Sequence, residues 1–462
     1  MFVLMIVIFI LGYTTIALEH PLKIDKAASA LLTGVLLWTI YIFGAETILP
    51  GNPYYEEFIH HNPGATFVEY ITDHEIIQNL GEIAEILFFL LGAMIIVETI
   101  DTYQGFKLIT DKIKTTSKIR LLWILSFLTF FMSAVLDNLT TTIVILALLR
   151  KLIDKQSDRW ILASMMVLAA NAGGAWSPIG DVTTIMLWIG GQITAMNIIL
   201  RMFIPSVVSI LIPLLIMTFF YPGGKVERPA RQTSEMMQKE TISDFKRKLF
   251  LIMGVGGLLF VPVFKTFTHL PPYLGMLFSL SIIWITTEIM SRRKTKGMDS
   301  QLVISQIIKK IDTPTVLFFL GILTAVSALQ SAGHLSMLAK KLESINLSDQ
   351  SRVYFIDSAI GILSAIVDNV PLVASAMGMY DVAAAGSTGF AAHFTVDGHF
   401  WELLAYTAGT GGSILIIGSA AGVAAMGMEK IDFIWYLRKV SLLAIAGYFS
   451  GIITSFIMFS IN

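Results

Sequence analysis

The chain has 462 residues, 55% of them hydrophobic and 14% charged, and its formal net charge is −1. Soluble proteins carry about 25% charged residues, so this composition excludes an ordinary soluble enzyme. It indicates a polytopic membrane protein whose first partner is the lipid bilayer. The balanced charge names no other partner, and no nucleic acid is expected. Cysteine is absent, which excludes disulfides and thiolate metal sites.

Apolar runs near the length needed to span a bilayer follow one another from the N-terminus. The first lacks the basic start and the small-residue cleavage site of a signal peptide, so we interpret it as a membrane helix. The runs cover residues 2–18, 27–49, 82–103, 121–153, 160–191, 197–221, 249–268, 272–291, 313–331, 353–380, 400–428 and 434–459. They predict an all-α fold with about ten spanning helices.

Two of these runs carry an aspartate followed by an asparagine at their centre. The pairs are Asp137-Asn138 in 121–153 and Asp368-Asn369 in 353–380. A polar pair at membrane depth predicts two half-length helices joined by a turn, that is, a re-entrant hairpin. Such a turn is tolerated only where the backbone is buried in protein or lines a cavity.

Two further runs contain paired glycines, which predict broken helices. The pairs are Gly173-Gly174 in 160–191 and Gly411-Gly412 in 400–428. Unwound backbone at such breaks can offer carbonyl oxygens to a cation. Helix packing through small residues is the alternative explanation. Doubled glycines at matching places in both halves favour broken helices.

The distribution of basic residues predicts the orientation of the chain in the membrane. The loop at 50–81 has no lysine or arginine but five acidic residues, so the positive-inside rule makes it external. Counting outward from this loop, with each hairpin returning to its own side, places 27 of the 32 basic residues in the cytoplasm. Both termini are then predicted to lie outside.

The sequence repeats itself at a nearly constant offset. Leu87-Phe88-Phe89-Leu90 recurs after 230 residues, the segment 133–138 after 231 and the glycine pair after 238. Together with the orientation, this predicts two inverted repeats, with substrate bound near the midplane between broken helices. The predicted organisation is an N-terminal half (1–221), a cytoplasmic linker (222–248) and a C-terminal half (249–462).

A carboxylate at the bilayer centre costs at least about 2.5 kcal/mol. Asp137 and Asp368 could simply cap the second helix of each hairpin. Serine or threonine would cap without a charge, so we expect both aspartates to bind a cation or a proton as well. The amide oxygens of Asn138 and Asn369 are neutral ligands for a hard cation. These four residues are the predicted sodium site.

Asp181, Thr183 and Thr184 follow the first glycine pair, at a place where the second repeat has no carboxylate. Asp181 could cap the half-helix 181–191, but a capping aspartate beside a cavity can also bind a cation. Asn171 is a further candidate ligand.

Four segments carry a family resemblance: ALEHPLKIDKAASALLTG (17–34), SAVLDNLTTTIV (133–144), NAGGAWSPIGDVTTIMLW (171–188) and SAIVDNVPLVASAMGMY (364–380). They resemble the NhaD-type sodium/proton antiporters of the ion transporter superfamily. The resemblance implies exchange of sodium or lithium for protons in the bacterial inner membrane, with no cofactor. It also implies a homodimer in which a transport domain moves against a scaffold. The functional polar residues it implies are Asp137, Asn138, Asn171, Asp181, Thr183, Thr184, Asp368 and Asn369.

Two rival functions remain. Relatives in that superfamily carry dicarboxylates or arsenite, so a sodium-coupled anion transporter of the same fold is the alternative. Carboxylates at both hairpin turns would repel an anion unless bound cations masked them, since anion sites use neutral donors and helix N-termini. An intramembrane enzyme is disfavoured, because the sequence has no HExxH or GxSxG motif and no histidine predicted to be buried. Six histidines are predicted to lie in solvated external segments: His60, His61, His74, His334, His393 and His399.

Overall fold

The computed structural model describes residues 1–50, 52–110, 112–221, 223–227, 242–292, 303–366 and 368–461. Most of the predicted linker at 222–248 lies outside these residues. The helices are α1 (Phe2–Ala17), α2 (Glu19–Leu22), α3 (Lys26–Ile48), α4 (Pro53–His61), α5 (Phe67–Glu69), α6 (Ile76–Thr102), α7 (Lys107–Thr110), α8 (Lys118–Leu136), α9 (Asn138–Leu152), α10 (Gln156–Gly174), α11 (Val182–Ile189), α12 (Ala195–Phe220), α13 (Asp244–Thr268), α14 (Pro272–Arg292), α15 (Ile304–Ile307), α16 (Thr313–Ser331), α17 (His334–Glu343), α18 (Asp349–Leu363), α19 (Asn369–Met379), α20 (His399–Gly411), α21 (Ala420–Glu429), α22 (Phe433–Lys439) and α23 (Ser441–Ile461).

Helix is the dominant regular structure, and the described part of the chain has isolated β-bridges but no strand. Eight described helices are long and apolar enough to cross a membrane. They are α3, the continuous helix Phe67–Thr102 that contains α6, and α8, α12, α13, α14, α16 and α23. The predicted all-α polytopic membrane fold is therefore confirmed.

Every predicted interruption coincides with a helix break. The breaks fall between α8 and α9, α10 and α11, α18 and α19, and α20 and α21. The arms differ in length, however. Helix α8 has 19 residues, which is enough to span a bilayer, whereas α18 has 15 and α19 has 11. Re-entrance of the two hairpins therefore stays a prediction.

The two broken helices form the centre of the core. Every residue from Leu162 to Gly174 at the end of α10 is buried, and so is every residue of α20. A helix that is buried on all sides must be surrounded by other helices. The helix breaks that follow α10 and α20 are therefore held inside protein.

The neighbours of these broken helices recur in both halves. Gly173 of α10 lies against the backbone of Phe130, and Gly411 of α20 lies against the backbone of Gly361, so that neither position has room for a Cβ atom. The hydroxyl of Ser133 donates to the carbonyl of Ala170 at 2.6 Å. The hydroxyl of Ser364 donates to the carbonyl of Ala408 at 2.8 Å. The offsets of these contacts match the sequence repeat, while the opposite orientation of the halves remains a prediction.

Helices α3 and α16 form a second packed unit beside the core. They are in contact along their length, and the indole N–H of Trp38 donates to the carbonyl of Thr324 at 3.0 Å. The first turn of α3 lies next to Phe318 of α16, where the ammonium of Lys26 is 4.4 Å from the ring centroid. This unit forms one wall of the cavity that contains the predicted site residues.

Candidate functional site

A narrow cavity of about 70 Å³ brings residues of both halves together. Its walls include residues of α3, α6 and α16 and of the helix breaks before α9, α11 and α19. Five of the predicted site residues line it: Asp137, Asn138, Asp181, Asp368 and Asn369. The sequence repeat therefore identified segments that are distant in the chain and adjacent in space.

Asp181 is the central contact of the site. One of its carboxylate oxygens accepts from the amide nitrogen of Asn138 at 2.6 Å. The other accepts from the amide nitrogen of Asn369 at 3.3 Å. Asp181 is 1% exposed, so the asparagines of the two repeats meet on one buried carboxylate. The sequence predicted Asp137 and Asp368 as the carboxylate ligands of the sodium site. In the structure, the carboxylate that bridges the two asparagines is that of Asp181.

The local sequence explains how Asp181 is held. It is the N-cap of α11, and it accepts from the backbone N–H of Thr183 at 3.0 Å and from the Thr183 hydroxyl at 2.9 Å. The Thr184 hydroxyl donates to the backbone carbonyl of Asp181 at 2.8 Å. Both predicted threonines therefore support Asp181. An aspartate at this position is favoured because it satisfies the free amides of the first helical turn.

All these hydrogen bonds to the Asp181 carboxylate come from neutral groups. Such donors fix the position of its oxygens but add no positive charge to balance the buried anion. Asn138 and Asn369 donate to Asp181 through their amide nitrogens. Their amide oxygens, which are the atoms that a hard cation prefers, take no part in these two contacts. The arrangement is suited to binding a cation or a proton.

Asn171 extends the network away from the cavity. Its side-chain oxygen accepts from the amide of Asn138 at 3.0 Å. Its nitrogen donates to the hydroxyls of Ser413 and Ser419 at 2.8 Å and 2.9 Å. The sequence did not single out these serines as site residues. Ser419 corresponds to Asp181 in the repeat and could have been found that way, whereas Ser413 corresponds to Ala175 and gives no such signal.

Asp137 occupies a strained backbone conformation. Its φ is 78° and its ψ is 160°, a region that is essentially restricted to glycine and costs about 1–3 kcal/mol for other residues. Its carboxylate accepts from the Thr140 backbone and hydroxyl, each at 2.8 Å, and so caps α9. The capping role that the sequence allowed is present, but capping does not require the strain.

Asp368 caps α19 from an unstrained conformation and has a basic neighbour. Its carboxylate accepts from the backbone N–H of Val370 at 3.2 Å. The ammonium of Lys26 lies 3.7 Å from the same carboxylate. Lys26 also lines the cavity, although the sequence did not single it out as a site residue. The signal that could have identified Lys26 is its position within the segment 17–34, one of the four that carry the family resemblance.

The paired glycines lie behind the site. Gly174 packs against the carbonyl of Gly180, and Gly412 packs against the carbonyl of Gly418, so each pair lets the two ends of a helix break approach closely. Their close contacts support the packing explanation. Supply of carbonyl ligands by Gly173, Gly174, Gly411 and Gly412 stays a prediction.

The cavity adjoins a charged vestibule on one side. Seven lining residues, including Lys26 and Thr140, are shared between the two spaces. The vestibule also contains Glu98, Asp101 and Lys310, and Lys310 lies 3.3 Å from the Glu98 carboxylate. The central site thus lies next to this vestibule.

A separate cavity opens at the other side and is lined by Glu82 and Glu85. Within the described part of the chain, it shares no lining residue with the central cavity. The central cavity is lined by the apolar residues Phe89 and Ile185, and their chain neighbours Ile86 and Met186 line the other cavity. The central cavity therefore adjoins the vestibule and is lined by different residues from the cavity at the other side.

The prediction about the histidines can be compared with the structure. The solvated assignment of the histidines is wrong for His334 and His399, which are 8% and 5% exposed because they pack against Phe2 and Tyr354. Neither lines the central cavity. Across the described ranges, no three His, Cys, Asp or Glu side chains are grouped closely enough to hold a metal ion.

Comparisons with known proteins agree with the geometry. The sequence profile of a family described as citrate transporters matches residues 3–409. The chain is 45% identical to sodium/proton antiporter 1 of Arabidopsis thaliana over 97% of this chain and 71% of the relative. It is 42% identical to sodium/proton antiporter 2 of the same plant over 97% and 98%. The Na⁺/H⁺ antiporter NhaD of Vibrio cholerae is 28% identical over 97% and 90%.

Proposed function

We propose that this chain, which belongs to the family described as citrate transporters, exchanges sodium or lithium for protons. Its similarity to sodium/proton antiporters, including one of the NhaD type, supports this exchange. The observation that carries the proposal is Asp181, a buried carboxylate held by neutral donors and bridged by Asn138 and Asn369. No enzymatic activity is part of it, since the relatives are named as transporters.

The charge of the cavity favours a cation over an anion. Three carboxylates line it, those of Asp137, Asp181 and Asp368, while the basic side chain of Lys26 is paired with Asp368. A sodium-coupled carrier of a dicarboxylate or arsenite-like anion remains the second candidate, because the family is described by citrate transport. Such an anion would have to enter a space of about 70 Å³ against this negative charge.

Coupling follows from competition for one set of oxygens. A proton and a sodium ion each neutralise the same carboxylate, and a carboxylate that holds one has lost its attraction for the other. Alternating access then carries either species, and inward protons expel sodium. No separate proton path is required.

Transport assays in proteoliposomes test this function. With an internal pH dye, a sodium jump should move protons in the opposite direction, and the apparent KM for sodium should rise by up to about tenfold per unit fall in pH. Saturating sodium should restore much of the rate, because the competitor is displaced. A sodium flux that moves no protons, or citrate carried together with sodium, would replace this proposal by the anion carrier.

The proposed setting is the bacterial inner membrane, with both termini outside. The distribution of basic residues supports this orientation, and it makes the vestibule beside Lys310 cytoplasmic. An inward-open state of an inverted-repeat transporter is part of the proposal. The homodimer and the movement of a transport domain against a scaffold are also part of the proposal, and they rest on the family resemblance.

Cysteine labelling tests the orientation, and the cysteine-free chain needs no prior changes. Single cysteines at Asn52 and Ser387 should react with an impermeant thiol reagent in intact cells. A cysteine at Ser234, which lies outside the described residues, should react only after the cells are opened. Labelling at Ser234 from outside would contradict the inverted arrangement.

A further inference from the structure

Lys26 is the basic side chain of the central cavity, and nothing in the proposed exchange yet uses it. Its ammonium lies 3.7 Å from a carboxylate oxygen of Asp368, and both side chains are largely buried, at 24% and 17% exposure. The same ammonium lies 4.4 Å from the ring centroid of Phe318. It thus stands between an aromatic face and a predicted cation ligand.

The main chain around Lys26 is held firmly. Lys26 is the first residue of α3, whose N-cap Asp25 accepts from the backbone N–H of Ala27 at 2.8 Å. The backbone N–H of Lys26 itself donates to the carboxylate of Glu19 at 3.4 Å. Because α3 packs against α16, the lysine is anchored on a different unit from the helix break that carries Asp368.

The geometry is that of a loose, reversible pair. Close charged hydrogen bonds between nitrogen and a carboxylate oxygen are about 2.7–2.9 Å long, and this separation is greater. In the same position the ammonium has a second favourable contact with Phe318, because a cation over an aromatic face is attracted by the ring. The side chain can therefore leave Asp368 without losing every favourable contact.

We propose that Lys26 is a tethered competitor of the transported cation at Asp368. A sodium ion and an ammonium carry the same charge, and one carboxylate cannot be fully engaged by both. When sodium leaves, Lys26 balances the buried charge that would otherwise stay uncompensated. When sodium binds, the ammonium withdraws from Asp368 and keeps its contact with Phe318. This inference rests on the proposed sodium/proton exchange and deepens it.

The opposite role would be positioning. If Lys26 only held Asp368 in a productive orientation, removing the ammonium would weaken sodium binding and raise the KM. If Lys26 competes with sodium, removing the ammonium strengthens binding and lowers the KM. The sign of the change in KM separates the two roles, and a general folding defect predicts neither.

The test compares Lys26→Met with Lys26→Arg in proteoliposomes, using sodium-driven proton movement. We expect Lys26→Met to lower the sodium KM about tenfold and to reduce kcat, because release becomes slower. Lys26→Arg keeps the charge and should keep the KM within about twofold. Lys23→Met is the matched control, since Lys23 is exposed and three residues away, and its KM should be unchanged.

A second readout does not depend on turnover. Sodium should stabilise purified Lys26→Met against heating at lower concentrations than it stabilises the wild type, because a ligand that binds the folded state raises its stability. If Lys26→Met does not fold, Lys26→Gln decides by the same measurements. An unchanged or raised KM in a folded neutral variant would overturn the inference. Absence of sodium-driven proton movement in the wild type would overturn the proposed function instead.

Discussion

Replacing Asp181 by serine should reduce exchange at least about 100-fold while leaving the protein folded. The chain contains its own precedent for the change, because Ser419 occupies the matching position in the second repeat and caps α21 through a hydrogen bond from Gly422 at 3.1 Å. Serine can therefore cap α11 without the charge. What is lost is the carboxylate that joins Asn138 to Asn369.

Initial rates of sodium-driven proton movement measure the loss of exchange. Thermal unfolding in detergent shows whether the variant is folded. Asp432→Asn is the control, since Asp432 is an exposed N-cap aspartate on α22 that accepts from Trp435 at 2.8 Å. We expect wild-type exchange from this variant. If the Asp181→Ser protein exchanged sodium at even one tenth of the wild-type rate, Asp181 could not be the shared ligand of cation and proton.

The aspartates of the two hairpin breaks should give the second largest effect. Asparagine keeps the ability to cap a helix and has nearly the same shape as aspartate, so Asp137→Asn and Asp368→Asn remove charge and add no backbone strain that the aspartate does not already carry. We expect each variant to insert and to lose most exchange, by about tenfold or more. The loss should be smaller than for Asp181, which bridges both repeats.

Both variants are measured in the same vesicles, with the amount of inserted protein determined in parallel. A protein in which either aspartate is only a cap would still exchange sodium at the wild-type rate after this change. That result would remove the residue from the mechanism and leave the strained φ of Asp137 or the Lys26 contact of Asp368 without a transport role.

Much of the fold follows from local patterns in the sequence. Each long apolar run became a helix or a pair of helices, because membrane-spanning segments must satisfy their own backbone hydrogen bonds. The breaks also fell where charged residues or doubled glycines interrupt the runs, since those residues are costly in a continuous apolar helix. The length of α8 was not foreseen, because hydropathy does not show how a helix tilts or where a hairpin turns.

The site was predictable as a set of residues but not as a network. Asp137, Asp181 and Asp368 stand out because charge in an apolar run is rare. That Asp181 rather than Asp368 bridges the two asparagines depends on how the two halves meet, which no local pattern records. The same holds for Lys26, whose partner is more than 300 residues away, and for Ser413, which is reached only through Asn171.

The glycine contacts of the core have a mechanical consequence. At Gly173 and Gly411 the main chains of neighbouring helices touch, with no side chain between them to act as a sliding surface. The Ser133 and Ser364 hydroxyls fasten the same pairs of helices to each other. Each arm and its broken helix therefore form one stiff block, and a change from one accessible face to the other has to take place along the boundaries of these blocks, where long and deformable side chains such as Met186 and Lys26 are found.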